Sequence, residues 1–210
     1  MSDFSPPSLV DINAAVRPVQ QGGVLLFPTE TLYGLGCLAT DAEAVARIYT
    51  LKNRAPTKPL PLLAANTAQV AAVADPDALP DDLAAFWPGP LTVILPARSG
   101  LSPALLNAHG QVAVRVTSHP LAATLAERTG VLTASSANRS GCPPARTPGE
   151  AAAILRAWGV TLPLLAGGPP PAGGLPSTIV EPAGTGSLRL LRQGAIRTTE
   201  LEAKFHILTE

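Results

Sequence analysis

Short apolar segments alternate with helical segments along this chain of 210 residues, and this alternation limits the folds open to it. Each apolar segment has the length and composition of a buried strand. The predicted strands are VLLFP, PLPLLAA, PLTVILPA, VAVRV, VLTAS, TIVEP and LRLLRQG. Some of them follow one another with no predicted helix between. This order predicts an α/β (α+β) fold in which helices flank a twisted sheet of mixed parallel and antiparallel strands.

Caps and chain breakers predict the helices. The first helix is expected to run from a cap at Ser8 to Gly22-Gly23, although Pro18 lies within it. A second helix begins after the N-cap Asp41 and carries Lys52 in its last turn. Further helices are predicted for NTAQVAAVA, DDLAAFW, HPLAATLAERTG, PGEAAAILRAWG and the end of the chain, and loops for TETLYGLG, SANRSGCPPART and GGPPPAGGLPS.

Composition and length exclude several classes of protein. Hydrophobic residues make up 46% and charged residues 14% of the chain, which is typical of a folded protein. A formal net charge of zero argues against broad binding to nucleic-acid phosphates. The two cysteines and three histidines lack metal-ligand spacing, and the cysteine usage predicts a cytoplasmic location. No secretory signal and no membrane association are predicted.

The absence of a long linker or an internal repeat predicts one domain. Its expected bounds are residues 8–200, with 1–7 and 201–210 as terminal extensions.

Positive charge is concentrated in the segment LKNRAPTKPL, which holds Lys52, Arg54 and Lys58. A cation in the last turn of a helix complements the helix dipole, worth about 0.3–1 kcal/mol, and this explains Lys52. It does not explain Arg54 and Lys58, which lie beyond the helix on a segment stiffened by Pro56 and Pro59. Three outward cations on a rigid backbone suit a triphosphate. Charge alone leaves both interpretations open.

Hydroxyl and amide side chains follow two predicted strands. Ser136 and Asn138 come after VLTAS, and Thr29 and Thr31 come after VLLFP. Loops at the carboxyl ends of strands often bind ligands, but a Ser or Asx turn gives the same pattern. The GLGCLA segment that follows resembles a dinucleotide fingerprint, but it does not open a helix directly after a strand and is rejected.

Two arginines lie in predicted strands. Arg115 is flanked by valine and alanine in VAVRV, where burial requires either a structural carboxylate or a ligand anion as partner, and Arg192 raises the same choice. Ser177 lies just after the glycine-proline loop, where a flexible segment can close over a site. His119 is expected near a helix start rather than in catalysis, and no nucleophile–His–acid set is recognised.

Taken together, several segments resemble the YrdC family. They are PTETLYGLG, Lys52-Asn-Arg54 followed by KPL, WPGPLT, VAVRVTSHP, Ser136-Ala-Asn138 followed by SGCPPART, and LLRQG. The paired KxR and SxN motifs are the marker of that family. The resemblance runs in order from about Gly22 to Ile196 and is greatest to its short bacterial branch, the threonylcarbamoyl-AMP synthases.

The resemblance implies a mixed α/β sheet around a deep positively charged cavity, and a nucleotidyltransferase activity. L-threonine, bicarbonate or CO2, and ATP would give L-threonylcarbamoyl-AMP and pyrophosphate. The product would pass to a tRNA threonylcarbamoyltransferase complex for N6-threonylcarbamoyladenosine at position 37 of tRNAs that read codons beginning with A. Mg²⁺ would be held mainly by ATP phosphates and water, with no protein side chain as ligand. Weak RNA binding is a further expectation.

The resemblance also assigns roles to residues. The implied ATP-binding residues are Lys52, Arg54, Lys58, Asn138, Arg146 and Arg192. The implied threonine-binding residues are Thr31, Arg115, Ser136 and Ser177. Catalysis would depend on Lys52, Arg54, Ser136 and Asn138.

Two positions depart from the family pattern. Ala55 replaces a common proline, and Leu63 stands where longer relatives have a threonine-contacting histidine. Rearranged threonine contacts are therefore expected. Two alternative functions remain: a paralogue with weak or different activity, such as a carbamoyl-handling maturation factor, and a double-stranded RNA-binding or ribosome-assembly module.

Overall fold

A computed structural model describes residues 8–172 and 174–208. The helices are α1 (Ile12–Gln20), α2 (Ala42–Lys52), α3 (Thr67–Val73), α4 (Asp81–Ala84), α5 (Pro120–Thr129), α6 (Pro148–Trp158) and α7 (Thr198–Glu202). The strands are β1 (Leu9–Val10), β2 (Leu25–Pro28), β3 (Tyr33–Gly36), β4 (Leu62–Ala64), β5 (Leu91–Pro96), β6 (Gln111–Val116), β7 (Leu132–Thr133), β8 (Ser135–Ser136), β9 (Leu164–Leu165), β10 (Thr178–Pro182), β11 (Ser187–Arg192) and β12 (His206–Leu208).

The strands form two twisted sheets, and both are mixed. The first sheet has the order β1-β9-β2-β3-β8, with β9 parallel to β1 and β2 and the remaining pairs antiparallel. The second has the order β12-β11-β10-β5-β6-β4-β7. In it, the β11–β12, β5–β10 and β4–β6 pairs are parallel. The predicted α/β class with mixed strands is confirmed, although the strands divide between two sheets.

The segment VLTAS, predicted as one strand, contributes to both sheets. Its first part is β7 in the second sheet, and its last part is β8 in the first. Thr133 joins the sheets, because its N–H donates to Cys37 O at 2.8 Å and its Oγ1 accepts from Cys37 N at 3.1 Å. The crossing brings Ser136 to the junction of the two sheets.

The prediction of a loop for TETLYGLG is wrong in its second half. Tyr33–Gly36 is β3, which pairs antiparallel with β2, and only the preceding residues form a turn. Gly36 permits a close approach, since a Cβ there would lie 2.2 Å from Thr133 O and 2.7 Å from Phe27 Cε1. Glycines selected for packing thus resemble a loop in the sequence.

The predicted start of the first helix at Ser8 is also wrong. Leu9–Val10 is a strand parallel to β9, and the helix begins only at Ile12. Asp11 is the cap, and its Oδ1 accepts from Ala14 N at 2.9 Å. Pairing with a distant strand therefore overrides the local capping signal of Ser8.

The second helix is confirmed as predicted. Asp41 Oδ1 accepts from Ala44 N at 2.9 Å, and Lys52 occupies the last turn. Asn53 ends the helix in the left-handed region with φ 47°. The chain therefore turns sharply just before Arg54.

Most later elements follow the sequence prediction. Helix α5 begins after His119 and ends at Gly130, and α6 begins at Pro148. DDLAAFW is helical only over Asp81–Ala84. The chain does not close on a helix, because β12 follows α7 and pairs in parallel with β11. The segment expected to be a C-terminal extension thus contributes an edge strand, whereas residues 1–7 lie outside the described part.

Aliphatic side chains form the core in two clusters. The larger cluster joins both sheets to α2 and α6, and the smaller one packs α1 and α5 against β2, β4 and β9. In the described part of the chain, none of the helices has the length and apolar character needed to span a bilayer.

Candidate active site

A polar cleft with a volume of about 90 Å³ lies where the two sheets meet. The residues predicted from the sequence that line it are Thr31, Arg54, Arg115, Ser136, Ser177 and Arg192. They come from the turn after β2, the segment after α2, β6, β8, the segment before β10, and the end of β11. Thr29 and Ser135 add further hydroxyl groups to the lining.

Arg115 has a carboxylate partner and also lines the cleft. Its Nε donates to Glu30 Oε1 at 2.9 Å, and its side chain is only 4% exposed. Glu30 Oε2 accepts from Thr117 Oγ1 at 2.5 Å. The structural carboxylate is therefore Glu30, to which the sequence analysis gave no role. The sequence held a signal for this pairing, because a buried arginine needs an acidic partner and Glu30 directly follows a buried strand.

Arg192 holds Ser177 in place. Its Nε and Nη2 donate to Ser177 O at 3.1 and 2.8 Å, and Nη2 also lies 3.1 Å from Ser177 Oγ. Ser177 Oγ makes a further hydrogen bond of 2.8 Å with Thr92 Oγ1, a residue that the sequence analysis did not single out. Ser177 is thus fixed on two sides at the wall of the cleft.

Positive charge exceeds negative charge in the cleft. Arg54, Arg115 and Arg192 line the same cleft. Desolvation, and then the charges of Arg115 and Arg54, lower the pKa of Arg192. Burial also lowers the pKa of Arg54. In the described part of the chain, the ion pairs of these arginines are limited to the one between Arg115 and Glu30. An anion entering the cleft would relieve this repulsion.

Lys52 does not point outward, contrary to the prediction. It is 1% exposed, and its Nζ donates to Ser136 O, to Asn138 O at 2.6 Å and to Asn138 Oδ1 at 2.9 Å. Its backbone oxygen accepts from Ser140 N at 3.1 Å. Burial of the ammonium group, with a smaller effect of Arg54, lowers the pKa of Lys52 to about 7. Lys52 therefore anchors the segment after β8 to the end of α2.

The other two cations of the cluster differ from Lys52. Arg54 lines the cleft, but its Nε donates to Lys58 O at 2.7 Å and its Nη2 to Pro59 O at 3.0 Å. These bonds fix the turn that its own segment makes. Lys58 is exposed and is not part of the cleft lining. The picture of three outward cations is thus correct for Lys58 alone.

Asn138 and Arg146 lie in grooves beside the cleft. Asn138 Oδ1 accepts from Ser136 Oγ at 2.7 Å, and Asn138 N donates to Ser136 O at 2.9 Å. The chain thus turns here through a backbone bond and a bond between side chains, rather than through the side-chain-to-backbone bond of a Ser or Asx turn. Trp158 lines the same groove as Asn138. Arg146 lines a neighbouring groove, and its guanidinium lies against Gly174, where a Cβ would come within 2.6 Å of Nε.

Leu63 lies in the core rather than at the cleft. It is fully buried in the smaller hydrophobic cluster, next to Arg115 in the pairing of β4 with β6. Leu63 is not among the residues that line the cleft, and Pro61 is the residue of the same segment that does.

Comparison with known proteins identifies the family. The family model Sua5_yciO_yrdC, described as "Telomere recombination", matches residues 17–194. The chain belongs to the Sua5/YciO/YrdC family. The resemblance inferred from the KxR and SxN motifs is confirmed.

Individual members of the Sua5/YciO/YrdC family agree with this identification. The threonylcarbamoyl-AMP synthase of Alkalilimnicola ehrlichii is 41% identical over 169 residues, which cover 80% of this chain and 89% of the relative. The crystal structure of P. abyssi Sua5 complexed with L-threonine is 32% identical, with a TM-score of 0.84, and the match covers 94% of this chain. This chain spans 58% of that Sua5. E. coli YciO shares the fold at 23% identity, with a TM-score of 0.73, covering 90% of this chain and 93% of YciO.

Proposed function

We propose that this chain synthesises L-threonylcarbamoyl-AMP and pyrophosphate from L-threonine, bicarbonate or CO2, and ATP. The observation that carries the proposal is the convergence of Arg54, Arg115 and Arg192 on one hydroxyl-lined cleft, where the acidic partner of these arginines, Glu30, pairs with Arg115 but does not itself line the cleft. The ATP phosphates and the threonine carboxylate are both anionic groups, so both gain from this excess of fixed cations. The relative named threonylcarbamoyl-AMP synthase and the Sua5 complex with L-threonine support the proposal. The deep positive cavity implied by the resemblance would correspond to this cleft.

Threonine is proposed to bind at the end of the cleft formed by Thr31, Ser136 and Ser177. Arg115 would pair with the carboxylate of threonine, because the hydrogen bond to Glu30 already fixes the position of the Arg115 guanidinium. The side-chain hydroxyls of the wall would select the threonine hydroxyl, since a polar site rejects an analogue that leaves its groups unpaired. Leu63 takes no part, in agreement with the expectation of rearranged contacts.

The ATP phosphates are proposed to lie against Arg54 and Arg192, with Lys58 reaching in from the surface. Lys52 would act by holding the Ser136–Asn138 segment, which carries Ser136 for threonine and Asn138 for the nucleotide. Asn138 and Arg146, in the grooves beside the cleft, would contact the rest of the nucleotide.

The chemistry proposed for the cleft needs no covalent enzyme intermediate. The threonine amine adds to CO2, or to bicarbonate with loss of water, and forms an N-carboxylate. One carboxylate oxygen then attacks the α-phosphorus of ATP, and the bond to the β-phosphate oxygen breaks to release pyrophosphate. The arginines hold two anions together that repel each other in water, and they stabilise the charge that grows on the leaving group.

The cleft does not fit Mg²⁺ as a protein-bound metal. Both carboxylate oxygens of Glu30 already accept hydrogen bonds, from Arg115 and Thr117. Among residues 8–172 and 174–208, no three His, Cys, Asp or Glu side chains cluster closely enough to hold a metal ion. The proposed reaction needs no protein-bound metal, and Mg²⁺ is proposed to enter only with the nucleotide.

The product is proposed to pass to a tRNA threonylcarbamoyltransferase complex in the cytoplasm. The RNA-binding alternative is less favourable, because the converging arginines line a small recessed cleft rather than an open face. The names of the relatives do not favour it either.

Threonine-dependent release of pyrophosphate tests the proposal. Arg192→Met should lower kcat/KM by about 100-fold or more, since it removes a cation that faces developing charge. Arg189→Met is the matched control, because Arg189 lies on the same strand but pairs with Glu181 near the surface. Equal activity of the two variants, with both folded, would contradict the proposal.

A further inference from the structure

His119 has an unusual environment for a histidine outside the cleft. It is 2% exposed and directly precedes α5. Its Nε2 lies 3.0 Å from Pro169 O, and because a carbonyl can only accept, Nε2 carries the proton. Its Nδ1 is buried and has no hydrogen-bond partner among the described residues. An orphaned buried nitrogen is costly, so a purely packing role would be filled better by an apolar side chain.

The partner of His119 belongs to a strap that leads to the cleft. The strap comprises residues 167–172 and 174–177. Ala172 N donates to Glu30 O at 3.0 Å, and Gly174 lies against the guanidinium of Arg146. The strap ends in Pro176 and Ser177, both of which line the cleft. The strap is thus fixed at several points on its course to Ser177, which Arg192 and Thr92 hold at its end.

The strap is fitted closely to the imidazole ring. Gly168 has φ +72°, and a Cβ there would lie 2.8 Å from His119 Cε1. Only glycine both adopts this backbone conformation easily and leaves room for the ring. On its other side, His119 N donates to Thr117 Oγ1 at 3.2 Å, and Thr117 in turn donates to Glu30. His119 therefore joins the strap to the hydrogen-bonded group that holds Arg115.

We propose that His119 is a positioning residue that pins the strap leading to the cleft through Pro169 O, and thereby acts together with Arg192 and Thr92 to hold Ser177 in place for threonine. The inference rests on the proposed function for the identity of the ligand, but not for the contact itself. If the strap is released part of the time, the apparent affinity for threonine falls by the fraction that stays closed. Saturating threonine closes the strap again, so kcat is retained.

Hydrogen exchange of the protein without ligands tests the contact. His119→Phe keeps a ring but removes the donor, and His119→Gln keeps an N–H donor. We expect about ten-fold or faster exchange at the amide of Ala172 in His119→Phe, and protection close to wild type in His119→Gln. Gly168→Ala should loosen the strap from the opposite side. Gly186→Ala is its control, because Gly186 has φ +68° with nothing within 4 Å of a Cβ.

Steady-state kinetics tests the consequence. His119→Phe and Gly168→Ala should raise the KM for threonine by about ten-fold, with kcat unchanged and the KM for ATP raised less than about three-fold. If hydrogen exchange at the Ala172 amide is unchanged in His119→Phe, the inference is overturned, irrespective of which reaction the enzyme catalyses. Faster exchange with equal effects on both KM values, or a loss of kcat alone, would overturn the link to threonine. A wild-type protein with no threonine-dependent turnover would instead refute the proposed function.

Discussion

Replacement of Glu30 by alanine should destabilise the protein strongly, because it leaves Arg115 buried without its counter-charge. Arg115 is 4% exposed and its Nε lies 2.9 Å from Glu30 Oε1. Removal of one partner of a buried ion pair costs about 3–5 kcal/mol. Thr117 also loses the acceptor of a 2.5 Å hydrogen bond, which contributes about 1 kcal/mol of that total.

A double-mutant cycle measured by urea unfolding separates this effect from lost packing. Arg115→Met in the Glu30→Ala background removes the unpaired buried charge. The free energy of unfolding should therefore fall in the double variant by at least about 2 kcal/mol less than the sum of its decreases in the two single variants. Glu181→Ala with Arg189→Met is the matched control, because that pair is 17% and 43% exposed and should couple by less than about 1 kcal/mol. Additive losses at Glu30 and Arg115 would refute the assigned pairing.

Three further predictions concern buried groups. The pKa of Lys52 is about 7 in the folded state and about 10.4 in the unfolded state, so the unfolded state binds more protons between these pH values. The stability of the wild type relative to Lys52→Met, measured by urea unfolding, should therefore rise from pH 7 to 9 by up to about 1.4 kcal/mol per pH unit. A difference in stability that stays constant with pH would contradict this. Gly36→Ala should lower stability by more than about 3 kcal/mol, whereas Gly149→Ala, whose Cβ would meet its nearest neighbour at 3.9 Å, should be tolerated in the same assay. Burial raises the pKa of the Cys37 thiol to about 12, so iodoacetamide at pH 8 should label exposed Cys142 in native protein and both cysteines only after unfolding, as peptide mass spectrometry would show.

Local signals in the sequence were sufficient for most helices and strands. Helix α2 shows why, since its cap at Asp41 and its end at Asn53 both depend on neighbours in the chain. Strand β3 was missed because Gly36 is required by Thr133, a residue far away in sequence. The start of α1 was misplaced for the same reason, as Leu9–Val10 is drawn into a strand by β9.

The sequence predicted which residue types would form the candidate site, but not which way each side chain would point. Arginines and hydroxyls at the ends of strands could be identified one at a time. The burial of the Lys52 side chain could not be predicted, because its hydrogen-bond acceptors at Ser136 and Asn138 come from a distant segment of the chain. Glu30 was given no role because its partner Arg115 lies 85 positions away in the chain. His119 directly precedes α5, as the sequence predicts, but its bond to Pro169 O, 50 positions away, could not be foreseen.

Mass spectrometry of the reaction mixture tests the central claim most directly. The purified chain would be incubated with ATP, Mg²⁺, L-threonine and ¹³C-bicarbonate, and analysed at once beside Arg192→Met and Arg189→Met. The account predicts a species with the mass of threonylcarbamoyl-AMP that carries one ¹³C atom, formed by the wild type and Arg189→Met and greatly reduced in Arg192→Met. AMP and pyrophosphate formed without such a species, or a product that forms equally well in Arg192→Met, would contradict it.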